Sequence, residues 1–76
     1  MDTKKALDKM LQSDGRSRIQ ISNAMGRNPN FLSATISRGS APRADTLALI
    51  GQTCGWDLLL RKRDSGEEIV IDPSES

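Results

Sequence analysis

Residues 17–39 read SRIQISNAMGRNPNFLSATISRG and predict two short helices joined by a tight turn. Ser17 is followed three residues later by glutamine, a spacing typical of a capping box, so the first helix begins just after Ser17. Ile21 and Met25 stand four residues apart and predict the inward face of that helix. Gly26 can adopt the left-handed backbone with which a helix ends in a sharp turn, which predicts that the chain changes direction there.

The second helix of this pair has two sides of different character. Asn28 followed by proline favours a helix start, and we expect that helix over residues 29–38. Leu32 and Ile36 recur at helical spacing and predict an inward side. The opposite side carries small and polar groups at positions i, i+3, i+4 and i+7, namely Asn30, Ser33, Ala34 and Ser37. This side is either a solvated helix surface or a face that enters the major groove of DNA, where amides and hydroxyls can read base edges.

Two further helices are predicted around this pair. Residues 3–13 carry leucine and methionine at helical spacing, and Gly15 follows their end. Residues 43–53 predict another helix, with Leu47 and Ile50 inward. Four helices are therefore expected in all.

The spacing of apolar residues changes after the fourth helix. Residues 56–63 and 67–72 each suit a strand, and Asp64-Ser65-Gly66 between them suits a hairpin turn. The sequence therefore predicts a mainly α fold in three parts: a helical domain at residues 1–55, a β-hairpin at residues 56–72 and a flexible polar tail at residues 73–76.

Charge is distributed unevenly, although the net charge is only +1. Residues 1–63 hold all 11 lysines and arginines against five acids, a balance of +6, whereas residues 64–76 hold five acids and no base. Residues 16–43 contain five arginines and no acid. This pattern indicates either a solvated arginine-rich face or a surface that meets a polyanion such as DNA.

Composition argues against several kinds of chemistry. The chain has no histidine and a single cysteine, Cys54, so it lacks the usual general base, a disulfide and a cysteine-rich zinc site. We expect no enzyme activity, no metal and no cofactor, and we expect Cys54 to be a small apolar residue. Neither a signal peptide nor a membrane-spanning run is apparent, which favours a cytoplasmic protein with no membrane partner.

Residues 17–58 resemble the Cro/repressor-type, or Xre, helix-turn-helix family of phages and bacteria. The pattern SRxxISxxMG at residues 17–26 is similar to the second helix of that family, and NxxFLS at residues 28–33 to the start of its recognition helix. PxxDTLxxI at residues 42–50, followed by Gly55, is similar to its fourth helix. The resemblance implies a four-helix lambda-repressor-like helix-turn-helix domain, with the hairpin in place of the family's fifth helix.

Together with the polar side of the third helix, the resemblance implies which residues contact DNA. We expect base contacts in the major groove from Asn30, Ser33, Ala34 and Ser37. We expect contacts to the DNA backbone or flanking groups from Arg16, Ser17, Arg18, Arg27, Asn28, Arg38 and Arg43. The alternative role of these arginines is ordinary surface solubility. Arg27 departs from the family, which usually has an aliphatic residue in the turn.

A homodimer is expected, because one short helix reads only a few base pairs and proteins of this type pair two copies across an inverted repeat. A two-stranded hairpin is marginally stable alone, and its edges can add strands from a second chain. We expect residues 56–72 to form an intersubunit sheet, with apolar contacts from Trp56, Leu58, Leu60, Ile69 and Ile71. Alternatively, the hairpin folds back on its own helical core.

The sequence therefore predicts a sequence-specific regulator of transcription, a repressor, that reads an inverted-repeat operator in double-stranded DNA as a homodimer at the nucleoid. One alternative is an antitoxin-type DNA-binding protein whose acidic C-terminal region, residues 64–76, binds a toxin. Another is a protein-interaction module that does not bind DNA.

Overall fold

A computed structural model, which describes residues 1–73, contains four helices followed by a two-stranded antiparallel hairpin. The elements are α1 Thr3–Asp14, α2 Arg18–Ala24, α3 Phe31–Ser37, α4 Ala44–Thr53, β1 Leu59–Arg61 and β2 Glu68–Val70. The predicted mainly α architecture with a C-terminal hairpin is confirmed. Of the predicted flexible tail, residues 74–76 lie outside the described residues.

The first two helices begin and end where the sequence indicates. The Asp2 carboxylate accepts a hydrogen bond from the Lys5 N–H at 2.9 Å and caps α1, and Gly15 follows it in the left-handed region at φ 83°. Ser17 and Gln20 form both bonds of a capping box at the start of α2. The predicted glycine after α1 and the predicted capping box of α2 are therefore confirmed.

The turn after α2 is closed by backbone hydrogen bonds around Gly26, which has φ 72°. The Gly26 N–H donates to the Asn23 carbonyl at 3.0 Å, and the Arg27 N–H donates to the Ser22 carbonyl at 3.0 Å. This pair of bonds is a Schellman motif, in which carbonyls at the helix end gain partners once the chain turns. The predicted change of chain direction at Gly26 is confirmed.

The predicted start of the third helix at Pro29 is wrong by two residues. The Asn28 side-chain oxygen accepts a bond from the Asn30 N–H at 2.8 Å, and the Asn28 carbonyl accepts one from the Phe31 N–H at 2.9 Å. The second bond spans three residues, so residues 28–31 form a turn tighter than an α-helix. Asparagine and proline direct the chain into the helix, but α3 itself begins at Phe31.

Ser22 joins α2 to α3 from inside the protein. Its side chain is fully buried, and its hydroxyl oxygen accepts a hydrogen bond from the Leu32 N–H at 3.2 Å. That N–H lies in the first turn of α3, where the helix itself offers no acceptor. One buried residue therefore closes the turn with its carbonyl and caps the next helix with its hydroxyl.

The core is built from one apolar side of each helix. Leu7 of α1, Ile21 of α2, Leu32 of α3 and Ile50 of α4 form its centre, each 3% exposed or less. The residues packed around this centre are partly buried, and they are Met10, Leu11, Met25, Phe31, Ile36, Leu47 and Cys54. The predicted inward positions of Leu32 and Ile50 are confirmed, and Ile36 and Leu47 lie at the edge of the core.

The root of the hairpin is set against α4 at Gly51. The Trp56 N–H donates to the Gly51 carbonyl at 2.7 Å, and Gly55 between them has φ 87°. A Cβ atom added to the buried Gly51 would lie 3.3 Å from the Trp56 carbonyl oxygen, closer than most such contacts. The missing side chain at Gly51 therefore allows the chain to pass directly over α4.

The strands are shorter than the sequence predicts, with three residues each. Leu60 lies opposite Ile69, and the ladder continues beyond the strands through a bond from the Ile71 N–H to the Leu58 carbonyl at 2.8 Å. Gly66, with φ 77°, closes the loop by donating to the Lys62 carbonyl. Beyond its root the hairpin makes sparse contact with the helices, and the described chain is elongated, 40 × 24 × 22 Å. The described hairpin therefore does not fold back over the helical core.

None of the helices in the described part of the chain combines the length and the apolar character that crossing a membrane requires.

Replacing Ser22 with alanine should lower the free energy of unfolding by about 1–3 kcal/mol, because the buried Leu32 N–H would lose its acceptor. Thermal unfolding followed by circular dichroism measures the change. Ser37→Ala is the matched control, because Ser37 is exposed and such substitutions change stability by roughly 0.5 kcal/mol or less. Equal unfolding temperatures for Ser22→Ala and the wild type would show that the Ser22–Leu32 bond does not stabilise the fold.

Candidate nucleic-acid interface

The polar side of α3 faces away from the protein. On the inner side Leu32 is fully buried and Thr35 is 2% exposed, with its hydroxyl donating to the Phe31 carbonyl at 2.9 Å. On the outer side the residues predicted for base contact are reachable by solvent: Asn30, Ala34 and Ser37 are exposed, and Ser33 is half-buried. The structure therefore brings the four predicted residues together on one accessible face.

Asn30 combines a fixed backbone with a side chain that the helix does not use. Its N–H donates to the Asn28 side chain, and its carbonyl accepts from the Ala34 N–H at 2.9 Å. Asn30 stands at the N-cap position of α3, yet in the described chain its amide forms no cap hydrogen bond. An exposed amide carries both a donor and an acceptor, the pair that an adenine edge requires.

Two of the predicted arginines lie exposed at the ends of the short helices. Arg18 is the first residue of α2, and Arg38 is the C-cap of α3. Within residues 1–73 the structure shows neither of them in an ion pair. Ser17 lies beside Arg18, and its hydroxyl oxygen already accepts the Gln20 N–H in the capping box. Positive charge therefore stands at the start of α2 and at the end of α3.

Arg16, predicted to contact phosphate, has its guanidinium engaged within the protein. Its guanidinium holds both oxygens of Asp14, at 2.7 and 3.1 Å, and also donates to the Thr53 carbonyl at 2.8 Å. The side chain thus ties the end of α1 to the last turn of α4, whose carbonyl oxygens lack partners within the helix. The sequence alone indicated a surface arginine, because Thr53 is 37 residues away along the chain.

The contact between Asp14 and Arg16 changes how both groups ionise. The Arg16 hydrogen bond holds the pKa of Asp14 below its ordinary value, and the same bond raises the pKa of Arg16. Burial raises the pKa of the neighbouring Cys54, and the charge of Asp14 adds to that rise. Cys54 is therefore a protonated thiol at neutral pH, packed at the edge of the core.

Each of the remaining residues predicted to contact the DNA backbone already contacts a neighbouring residue within the protein. Arg27 is half-buried, and its guanidinium carbon lies 5.7 Å from the centre of the Phe31 ring, within the range of a cation–π contact. Arg43, the N-cap of α4, pairs with Asp45 at 3.2 Å, but both side chains are exposed and such pairs are weak. Asn28 uses its side-chain oxygen in the turn before α3, which leaves its NH₂ group to donate.

The residues predicted for the dimer interface lie on and beside one face of the hairpin. Cross-strand pairing places Leu60 opposite Ile69 and Leu58 opposite Ile71, and alternation along a strand puts all four on one side, here named the hairpin apolar face. Leu60 is 63% exposed and Ile69 is 59% exposed, whereas Leu58 and Ile71 are half-buried. Trp56 lies at the hairpin root and is also exposed.

The structural roles of Ser22, Gly51 and the Asp14–Arg16 pair were not predicted from the sequence. Ser22 was visible as a small residue in the family pattern, and its place four residues before Gly26 is the feature that could have indicated a buried cap. A glycine inside the predicted fourth helix, Gly51, could have indicated a close backbone approach. Nothing in the local sequence indicates that Asp14 binds Arg16 while Arg16 reaches α4.

In the described chain, no group of three or more acidic, cysteine or histidine side chains is placed to hold a metal ion. The chain was also compared with known protein families, with curated proteins and with solved structures, and none of these comparisons found a match.

The pairing of Asp14 with Arg16 should make stability depend on pH. Because the folded pKa of Asp14 is lowered, the contribution of the pair is fully present above about pH 4 and is lost as the pH falls through the lowered pKa. Asp14→Asn should therefore be less stable than the wild type at neutral pH, and the difference should narrow in acid.

Urea unfolding at a series of pH values measures that difference. Asp8→Asn is the control, because Asp8 is exposed on α1 and no ion pair is seen for it in the described chain. A difference in the free energy of unfolding between Asp14→Asn and the wild type that is equally large at neutral and acidic pH would contradict the stabilising role of the Asp14–Arg16 pair.

Proposed function

We propose that the protein is a sequence-specific regulator of transcription that binds double-stranded DNA and places α3 in the major groove. In this proposal α2 and α3 form a helix-turn-helix within a four-helix, lambda-repressor-like domain. The resemblance of residues 17–58 to the Xre pattern supports the proposal, as does the arrangement of four helices. The protein would act as a repressor at an inverted-repeat operator.

The observation that carries the proposal is the contrast between the two sides of α3. Its inner side is fixed by buried Leu32 and by the bond from Ser22, so the helix is held at a defined angle to α2. Its outer side offers only small and polar groups, so neither bulk nor negative charge would keep it from the bases and phosphates. A helix with these two properties suits direct readout of base edges.

Arg18, Arg38 and Arg43 are the proposed phosphate contacts. All three are exposed and lie at ends of α2, α3 and α4. The pair of Arg43 with Asp45 is exposed, so a phosphate can compete for the guanidinium. Arg16 is omitted, because its guanidinium is already engaged by Asp14 and Thr53. Arg27 is assigned to the turn, where its guanidinium lies over the Phe31 ring.

The protein is proposed to act as a homodimer, with residues 56–72 as the element that joins two copies. The support is the exposure of Leu60 and Ile69 on a hairpin that makes sparse contact with its own helices. A toxin or another protein could cover the same face in an antitoxin or in an interaction module. A second copy is preferred here because a dimer doubles the number of base pairs read.

Selection of bound sequences from a random duplex library tests the proposed function. Recovery of an inverted repeat would support both sequence-specific binding and two-fold symmetry. A single half-site would support DNA binding by a monomer. Enrichment of no sequence, with no retention of DNA even at low salt, would reject the proposal and leave an interaction module as the better description.

Asn30→Ala should relax base preference at one position of each half-site and weaken binding to the preferred sequence by about 1–3 kcal/mol. The physical reason is the loss of an exposed amide that can form two hydrogen bonds with one base. Binding titrations against duplexes that vary one position measure the effect. Asn23→Ala, an exposed asparagine outside the proposed surface, is the control and should keep the full preference.

Arg38→Ala should weaken binding to all sequences alike and reduce the salt dependence of the affinity by about one unit in the log–log slope. A phosphate contact releases counterions but carries no sequence information, so affinity and slope fall while preference stays. Lys5→Ala, which removes an exposed positive charge on α1 outside the proposed surfaces, is the matched control. A changed base preference in Arg38→Ala would instead place Arg38 at a base edge.

A further inference from the structure

Two exposed apolar surfaces lie next to each other in this chain. One is a groove of about 300 Å³ between α1, α4 and the hairpin root, with walls that include Ala6, Met10, Leu47, Trp56 and Leu58. The other is the hairpin apolar face defined above. Adjoining exposed apolar surfaces often mark a site of interaction with a partner.

Leu58 connects the two surfaces. Its side chain lines the groove, and the bond between the Leu58 carbonyl and the Ile71 N–H also makes it part of the hairpin ladder. Alternation along the strand puts Leu60 on the same side as Leu58, and Ile69 lies opposite Leu60. Leu58 therefore belongs to both the groove and the hairpin apolar face, and the rest of the hairpin forms an arm beyond the groove.

We propose that a second copy of this chain occupies the groove, so that the hairpin apolar face of each copy packs into the groove of the other. This inference rests on the homodimer of the proposed function and specifies how it forms. A two-fold axis makes the contact reciprocal, since the arm of the first copy fills the second groove and the arm of the second fills the first.

Buried area favours this exchange over contact between hairpins alone. A hairpin with strands of three residues offers on the order of a few hundred Å² of apolar surface, whereas a stable interface buries about 800 Å² on each partner. Reciprocal exchange covers two surfaces on each copy instead of one. It therefore buries more apolar surface than contact between hairpins alone, and it covers the groove.

Charges at the borders of the two surfaces are complementary. Lys9 and Asp57 lie at the groove, and Lys62 and Glu67 form the pair at the tip end of the hairpin apolar face. Each border thus carries one base and one acid, so an arm entering a groove can match opposite charges around an apolar centre. Such a border contributes to orientation more than to affinity.

Edge-to-edge pairing of two hairpins, the arrangement expected from the sequence, predicts a different set of sensitive residues. It would join backbone groups of the three-residue strands and would leave Ala6 on α1 uninvolved. Reciprocal exchange makes Ala6 and Ile69 contact residues of the same interface. Substitution at Ala6 therefore distinguishes the two arrangements.

The test begins with the mass of the full chain in the absence of DNA, measured by sedimentation equilibrium at micromolar concentration. The wild type is expected to be a dimer. Ile69→Glu in the arm and Ala6→Lys in the groove should each weaken the dimer by at least about tenfold. Val70→Glu is the matched control, because Val70 is 51% exposed but lies on the opposite side of the hairpin. Circular dichroism checks that every variant folds.

Mixing the two variants provides the decisive measurement. In a mixed pair, the glutamate arm of one chain meets the lysine groove of the other, while the second arm and the second groove are both wild type. The mixture should therefore recover a dimer that neither variant forms alone. Two folded, monomeric variants that stay monomeric when mixed would overturn the exchange, as would an Ala6→Lys protein that dimerises like the wild type.

The sedimentation experiment tests the exchange between two copies, and the selection of bound DNA sequences tests DNA binding, so each result can occur without the other. A wild-type chain that is monomeric but selects a DNA half-site would overturn the exchange and keep DNA binding. A reciprocal dimer that retains no DNA would keep the exchange and reject the regulator. Failure of one proposal is thus distinguishable from failure of the other.

Discussion

The structure depends on the double use of Ser22. Its carbonyl accepts the Arg27 N–H and closes the turn after α2, and its buried hydroxyl accepts the Leu32 N–H and caps α3. A larger side chain would not fit at a position with no exposed surface, and an apolar one would leave a buried donor without a partner. Together with the packing of buried Leu32, these two bonds hold α3 against α2 with its polar side outward.

Basic, apolar and acidic residues are concentrated in different parts of the protein. Residues 16–43 contain five arginines and no acid, apolar groups collect where the hairpin leaves α4, and half of the acids lie after residue 63. The separation has a physical reason under the proposed function, since acids near α3 would repel phosphates. Counting charges along the sequence does not show which arginines are engaged within the fold: the Arg16 guanidinium is bound by Asp14 and by the Thr53 carbonyl.

Local signals in the sequence were sufficient for most of the fold. The capping box at Ser17 and the glycine at position 26 act through neighbours within a few residues, so their consequences could be predicted without tertiary information. The start of α3 was predicted two residues too early, because an asparagine side chain that can cap a helix can also stabilise a tight turn before one, as Asn28 does. The outward side of α3 could be predicted from periodicity, because Leu32 and Ile36 fix the opposite side.

What could not be predicted depends on contacts between distant parts of the chain. No local pattern indicates that the Arg16 side chain reaches α4. A glycine inside a helix can indicate a close backbone approach, but only the tertiary arrangement shows that the approaching group is Trp56. Gly51 has a consequence beyond packing. If the hairpin joins two copies, the position of its root on α4 sets the separation of the two reading helices. Under the proposed function, the hairpin root at Gly51 would influence the distance between operator half-sites while α3 would select the bases, so the two properties could change independently.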